Sequence, residues 1–585
     1  MRFRFWRVRL RHVIWSLATG LLIHGCGGGG SSPTSEVPSL PPPPVGTRDT
    51  LTVGQLFDQV GLGVVHNGYF QPIGNLADVS SPLCGTIHFD ETRMDTSHFD
   101  ADWRGGGQTL FPELELPVAV YDGWLVPLER DIVLSGHGVG SGQSVWNIIA
   151  NPGRVWQEVD DSGYSRAAFP ITFTDNYVGH ARNGLATFVF DGAGISSIAV
   201  QITQETAPVS EHDRANFSVL VPVSWDPVCP ADANAKIAAF DAEKTNRLPI
   251  RSWSELPNAA ATKATARFGL PDTDFSMVAL LMDGELYVQT VDTRSGPHPF
   301  PEWMRHGVYS VTKTLGLGVS MLYLAQRYGD SVFDEFITDH VQELAAHPGW
   351  QGVTFSHTLN MVTGTVGAER GAAINPFIMA RSSAAKINSI GSLPDAPAAP
   401  GTEFNYYSTH SFVLSYAMDN FVEAREGAGT HYWDMVRRDV LEPIGVAHLP
   451  ISNSVEAAGA PGVPIMGWGS YPDVDAAAKI AQLLQNDGNF NGQQLLSRTK
   501  TREAMRKTAV PAYTTGHSAE RYLHSVWSVR TNTGNCIVDI PLMSGFGGNH
   551  VLMLPSGLSI VRFMDADDYE VAPTVQAVEG YRSSC

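Results

Sequence analysis

Cysteine and basic residues are scarce in this chain. Of 585 residues only five are cysteine, and 39 Lys and Arg stand against 59 Asp and Glu, a formal net charge of -20. That balance excludes a broad nucleic-acid-binding surface. The apolar stretch from Val13 to Ile23 is too short for a permanent membrane-spanning helix. No Gly-x-Ser-x-Gly sequence occurs, which counts against an α/β-hydrolase elbow, and no His-Glu-x-x-His, which counts against a zinc peptidase.

What is present begins with Arg2, Arg4, Arg7, Arg9 and Arg11, then the apolar stretch, then Gly25-Cys26, the order of a secretory signal. Residues 1–26 resemble a bacterial lipoprotein leader, with His24 departing from the small residue usual at that place. The resemblance implies lipidation of Cys26, attachment to a membrane through that lipid and, with Gly27 following, the outer membrane over the inner. Ordinary secretion is the alternative. Loss of residues 1–25 removes five arginines and no acid, so the charge goes from -20 to -25. Residues 27–50, rich in Gly and Ser and then Pro41 to Pro44, read as a tether. An extracytoplasmic chain makes the other four cysteines disulfide candidates. Cys84 with Cys229 and Cys536 with Cys585 is the simplest of the three pairings, one bridge on each side of the chain's middle.

From 51 to 235, short β-branched and aromatic runs alternate with turns. Val118 to Tyr121 precedes Asp122-Gly123, and Ala186 to Phe190 precedes Asp191-Gly192. This texture predicts an all-β sandwich or barrel-like domain without a catalytic motif. The cluster His88, Asp90, Glu91, Asp95, His98, Asp100 and Asp102 has no fixed ligand spacing and reads as a solvated loop, so no metal site is expected. From 236 to 585 helical stretches mix with strands, the pattern of an α+β domain.

Three Ser-x-x-Lys sequences occur: Ser310 with Lys313, Ser383 with Lys386, and Ser497 with Lys500. A serine needs a base to become a nucleophile, and a lysine one turn away serves if its amine is neutral. Only Lys313 opens a long apolar run, Leu315 to Ala325, which predicts a buried helix ending at Arg327-Tyr328-Gly329. Burial and the positive helix end both disfavour an ammonium at Lys313. Ser497 instead reads as the cap of a solvated helix, and no buried run follows Ser383.

Further segments follow in order: a hairpin over Ser276 to Thr290, Val353 through Gly364, Pro400-Gly401 through Tyr406 to Ser408, and Ser544 through Asn549. Together with Ser310-Val311-Thr312-Lys313, residues 236–585 resemble the serine β-lactamase and penicillin-recognising superfamily, in its class C and carboxylesterase-like branch. The resemblance implies a β-lactamase-like domain, an antiparallel sheet with flanking helices and a helical subdomain. It makes Ser310 the acylated nucleophile, Lys313 its partner, and Tyr406 a general base or proton shuttle. A phenolate at Tyr406 would need a charged Lys313, which competes with the neutral-lysine reading. Gly547 and Gly548 let backbone approach a substrate, and the Asn549 N–H joins that of Ser310 as an oxyanion hole. Two departures stand out: Ser408 replaces an asparagine, and Phe546 replaces a lysine or histidine. Losing that cation points to uncharged esters or amides over β-lactams or cell-wall peptides. The expected activity is thus a serine carboxylesterase or amidase, needing no cofactor. The alternatives are a β-lactamase or D,D-peptidase and an inactive binding lipoprotein. The oligomeric state is not legible in the sequence.

Overall fold

The computed structural model describes residues 40–58, 63–77, 82–94, 109–134, 143–175, 179–206, 217–257, 275–394, 398–517, 520–564 and 568–585. The leader, Cys26 and most of the tether lie outside the described residues, as do Asp95, His98, Asp100 and Asp102. Among the described residues no group of three His, Cys, Asp or Glu could hold a metal ion.

The alternating first half closes on itself. Strands Cys84–Phe89, Leu114–Tyr121, Trp124–Pro127, Gly153–Glu158, Ser165–Asp175, Ala181–Phe190, Ile198–Thr206 and Phe217–Val221 pair antiparallel in chain order. After Pro222, which has no N–H for the ladder, Val223–Asp226 pairs with the first strand. The last strand therefore bridges both edges, and the path becomes a barrel. Phe169, Ile171, Phe173, Phe188, Phe190 and Val200 point inward and fill it. Their neighbours Ala168, Leu185, Val189 and Ala199 belong to an outer cluster with Phe240, Phe300 and Trp303. Asp122-Gly123 has φ of 49° and 72°, which only a primed hairpin turn uses and which Gly tolerates best. Cys84 is bridged to Cys229.

Helix Ala233–Asn246 runs across the expected boundary at 235. Rich in alanine, it binds both halves: Phe240 packs on Trp124 and Trp303, Glu243 pairs with Arg130, and Arg247 just beyond its end reaches Asp473 at 3.0 Å.

In the second half a nine-stranded sheet runs in the order Ile250–Ser252, Glu285–Val288, Phe275–Met282, Ser559–Met564, Asn549–Met553, Ile537–Gly545, Val526–Asn532, Glu520–Leu523, Tyr513–Thr514. Only the first pair is parallel. One face packs on Val571, Val575 and Val578, the other on a large core shared with helices Ser408–Glu426 and Val474–Gln485 and the segment from Val311 to Ala325. An α+β architecture results. Cys536 is bridged to Cys585, so both disulfides follow the expected pairing and fit an oxidising compartment. No helix among the described residues is long and apolar enough to cross a membrane.

Candidate active site

Ser310 sits in the turn that feeds a buried helix, partly open to solvent while its neighbours are closed in. Tyr309 before it has φ of +47°, a left-handed conformation that a bulky residue holds only under tertiary constraint. The helix opens with a π-turn over Lys313–Gly318, a wider winding often found at functional sites, before continuing as Val319–Tyr328.

Lys313 is 1% exposed and its Nζ has three partners: Ser310 Oγ at 2.8 Å, Ser408 Oγ at 2.8 Å and the Gly467 carbonyl at 2.9 Å. Burial lowers its pKa to about 8, against which the Glu369 carboxylate pulls upward. A neutral amine has two N–H groups for Ser408 and Gly467 and one lone pair for the Ser310 hydroxyl. That is the arrangement a general base needs.

Tyr406 lies over the same amine, its ring centre 4.5 Å from Lys313 Nζ, with the Ser310 hydroxyl favouring its phenolate against the burial. Phe404, Tyr522 and Trp527 wall it in. Desolvation pushes its pKa well above the ordinary tyrosine value, with the Glu369 carboxylate adding to it. The phenol therefore stays protonated, while Lys313, lowered to about 8, has its neutral amine within reach near neutral pH. The loop is held from below: Asn405 N–H donates to Met361 O at 2.8 Å and Gly401 N–H to Val362 O at 2.7 Å. This is the use the structure makes of the Val353–Gly364 segment.

Ser408, in the place of an asparagine, is an acceptor for Lys313 and opens helix Ser408–Glu426, where its N–H donates to Glu369. Phe546 is 39% exposed at the rim and meets Tyr309 edge-on at 5.3 Å. Gly547 and Gly548 have φ of 78° and 84° and form a left-handed turn; a Cβ on Gly548 would meet Asp568 O at 2.3 Å. The Gly547 N–H donates to Tyr569 Oη at 3.2 Å. Asn549 braces the turn with its side chain, donating to Phe546 O at 2.7 Å and accepting from Met564 N–H at 3.0 Å. Its backbone pairs with Gly545.

Sequence reasoning missed Gly545, Glu369 and Gly467. A glycine at a strand end was a visible signal for the first, and a lone acid after Gly367-Ala368 for the second; a backbone carbonyl such as Gly467 O leaves no signal. The other two Ser-x-x-Lys pairs have partners of their own. Ser497 caps helix Arg498–Ala504 and donates to Asp330, while Lys500 turns to Glu503. Ser383 donates to Glu456 and Lys386 Nζ to Phe377 O. Burial lowers Lys386 to about 8 as well, so a depressed lysine alone does not make a site.

No family model and no curated protein matches the chain. Solved structures similar to it include a penicillin-binding protein homolog from Caulobacter crescentus, 18% identical over 56% of this chain and 97% of that one, with a TM-score of 0.40. A family VIII carboxylesterase is 17% identical over 55% and 95%, TM-score 0.41. A D-stereospecific amidohydrolase from Streptomyces sp. is 15% identical over 55% and 98%, TM-score 0.39. Each of these likenesses spans about half of this chain.

Proposed function

We propose that this protein is a serine hydrolase of the β-lactamase-like kind that cleaves carboxylic esters or amides through an acyl-enzyme on Ser310. The observation that carries it is the 2.8 Å contact of a buried, readily neutral Lys313 amine with the Ser310 hydroxyl. Lys313 takes the Ser310 proton as the oxygen attacks the carbonyl. The oxyanion that forms is held by the Ser310 N–H and a backbone N–H of the Gly545–Asn549 stretch, for which Asn549 is the choice. As the tetrahedral adduct collapses, the proton passes from Lys313, through the Tyr406 hydroxyl or directly, to the leaving alcohol or amine. Water then repeats the sequence on the acyl-enzyme, and the acid leaves with Ser310 reprotonated.

Phe546 at the rim, packed on buried Tyr309, favours an apolar, uncharged acyl or alcohol group over a carboxylate, which separates this reading from a lactamase or D,D-peptidase. Residues 1–26 support export, with a lipid on Cys26 as the membrane attachment. The deciding experiment is labelling of the purified protein with a fluorophosphonate, alongside an ester, amide and lactam panel. Labelling at Ser310 supports the hydrolase, whereas no acylation at all leaves a binding lipoprotein on an inactive fold.

A further inference from the structure

The chain entering Ser310 is gripped by the barrel residue after residue. Arg305, fully buried, donates to Asn151 Oδ1 at 3.1 Å; His306 Nδ1 meets Thr206 Oγ1 at 3.1 Å. At Gly307 a Cβ would stand 2.4 Å from the Gly179 carbonyl and 3.0 Å from Ala181 N, so only glycine lets the two backbones touch. Tyr309 meets the buried ring of His180 edge-on at 6.3 Å.

The same stretch of barrel backs the other side of the site. Gly179 has φ of +76°, and a Cβ on it would lie 3.0 Å from both Trp468 Cδ1 and Trp468 O. Trp468 follows Gly467, whose carbonyl holds Lys313. That segment is fastened to the nucleophile helix through Ser470, whose N–H donates to Thr312 Oγ1 at 3.2 Å.

We propose that the N-terminal barrel is a working part of the catalytic centre: Gly179 and His180 position the Tyr309 peptide that presents Ser310 and the Gly467 carbonyl that orients Lys313. The inference rests on the hydrolase reading and adds a role for a half of the chain that has no catalytic motif. A left-handed Tyr309 does not persist without outside restraint, and the barrel supplies restraint from His180 on one side while Phe546 supplies it on the other. Neither Gly179 nor His180 touches the reacting atoms. Both act through neighbours and are positioning residues.

The test uses the full chain carrying Gly179→Ala, His180→Ala or His180→Phe, with melting temperature, fluorophosphonate acylation rate, kcat, KM and the pH profile measured on each. Gly179→Ala pushes Trp468 and with it the Gly467 carbonyl; kcat falls about tenfold to a hundredfold with KM unchanged. Loss of a carbonyl that favours the ammonium moves the midpoint of the pH profile down by about one unit. His180→Ala lowers kcat and the acylation rate in the same way, and His180→Phe, which restores an aromatic edge against Tyr309, recovers most of both. Variants that fold with wild-type kcat and pH midpoint overturn the inference, as does a His180→Phe no better than His180→Ala. A wild-type protein that the probe does not acylate overturns the hydrolase reading, and this inference with it; acylated wild type with unaffected variants overturns this inference alone.

Discussion

Gly545 lies directly against the nucleophile's turn: a Cβ placed on it would stand 3.2 Å from the Ser310 nitrogen and 2.2 Å from the Val308 carbonyl oxygen. The end of strand Ile537–Gly545 and the start of the nucleophile helix thus share a contact that only hydrogen can fill. Gly545→Ala has no flexible side chain to push aside, since both neighbours are backbone. It is expected to cost about 1–3 kcal/mol of stability and to lower activity by two orders of magnitude or more. Thermal melts and initial rates on one preparation check this, and an alanine variant with normal kcat would place the strand end elsewhere.

Ser310→Ala should abolish turnover and covalent labelling with little change in melting temperature, because the hydroxyl contributes little packing. Ser383→Ala and Ser497→Ala should keep turnover, since their hydroxyls bond Glu456 and Asp330. The mass of the labelled active-site peptide decides among the three.

The pH profile follows from Lys313. Its folded pKa is lowered to about 8 by burial, so the neutral base is the minor form at pH 7 and the major form above 8. Activity should therefore rise through pH 8 and then level off. The Glu369 carboxylate holds the ammonium in place, so Glu369→Gln should move the midpoint to lower pH. A rate that falls as pH passes 8 would mean that a charged Lys313 is needed after all.

Desolvation holds the Tyr406 phenol protonated, which in the proposed reaction makes it a hydroxyl relay and not a phenolate. Tyr406→Phe and Lys313→Ala are each expected to lower the acylation rate by about 10²–10⁴-fold. Single-turnover acylation of both variants measures this, and an unchanged rate in Tyr406→Phe would take it out of the reaction.

Phe546 stands at the open rim against Tyr309 and offers no charge to a substrate carboxylate. Short uncharged esters should surpass penicillins and cephalosporins in kcat/KM by more than about tenfold, and Phe546→Lys should narrow the gap. Cephalosporins turned over faster than p-nitrophenyl butyrate by the unaltered protein would favour the lactamase alternative.

Much of this was legible in the residues because it depends on neighbours in sequence. β-Branched and aromatic runs and the Asp122-Gly123 turn marked strands, and the apolar run after Lys313 marked the buried helix. Those signals are local, and local physics wrote them. Closure of the barrel depended instead on a last strand that breaks at Pro222 and pairs on both sides, a property of the whole path. The third partner of Lys313 is a main-chain carbonyl 154 positions away, and carbonyls look alike in every sequence. Whether Lys313 or Tyr406 carries the charge depended on how much water each loses, which no spacing states. The barrel's grip on Arg305 through Tyr309 likewise arises from two remote segments packed face to face: the sequence determined which side chains could do the chemistry, and tertiary burial decided their protonation and what holds them in place.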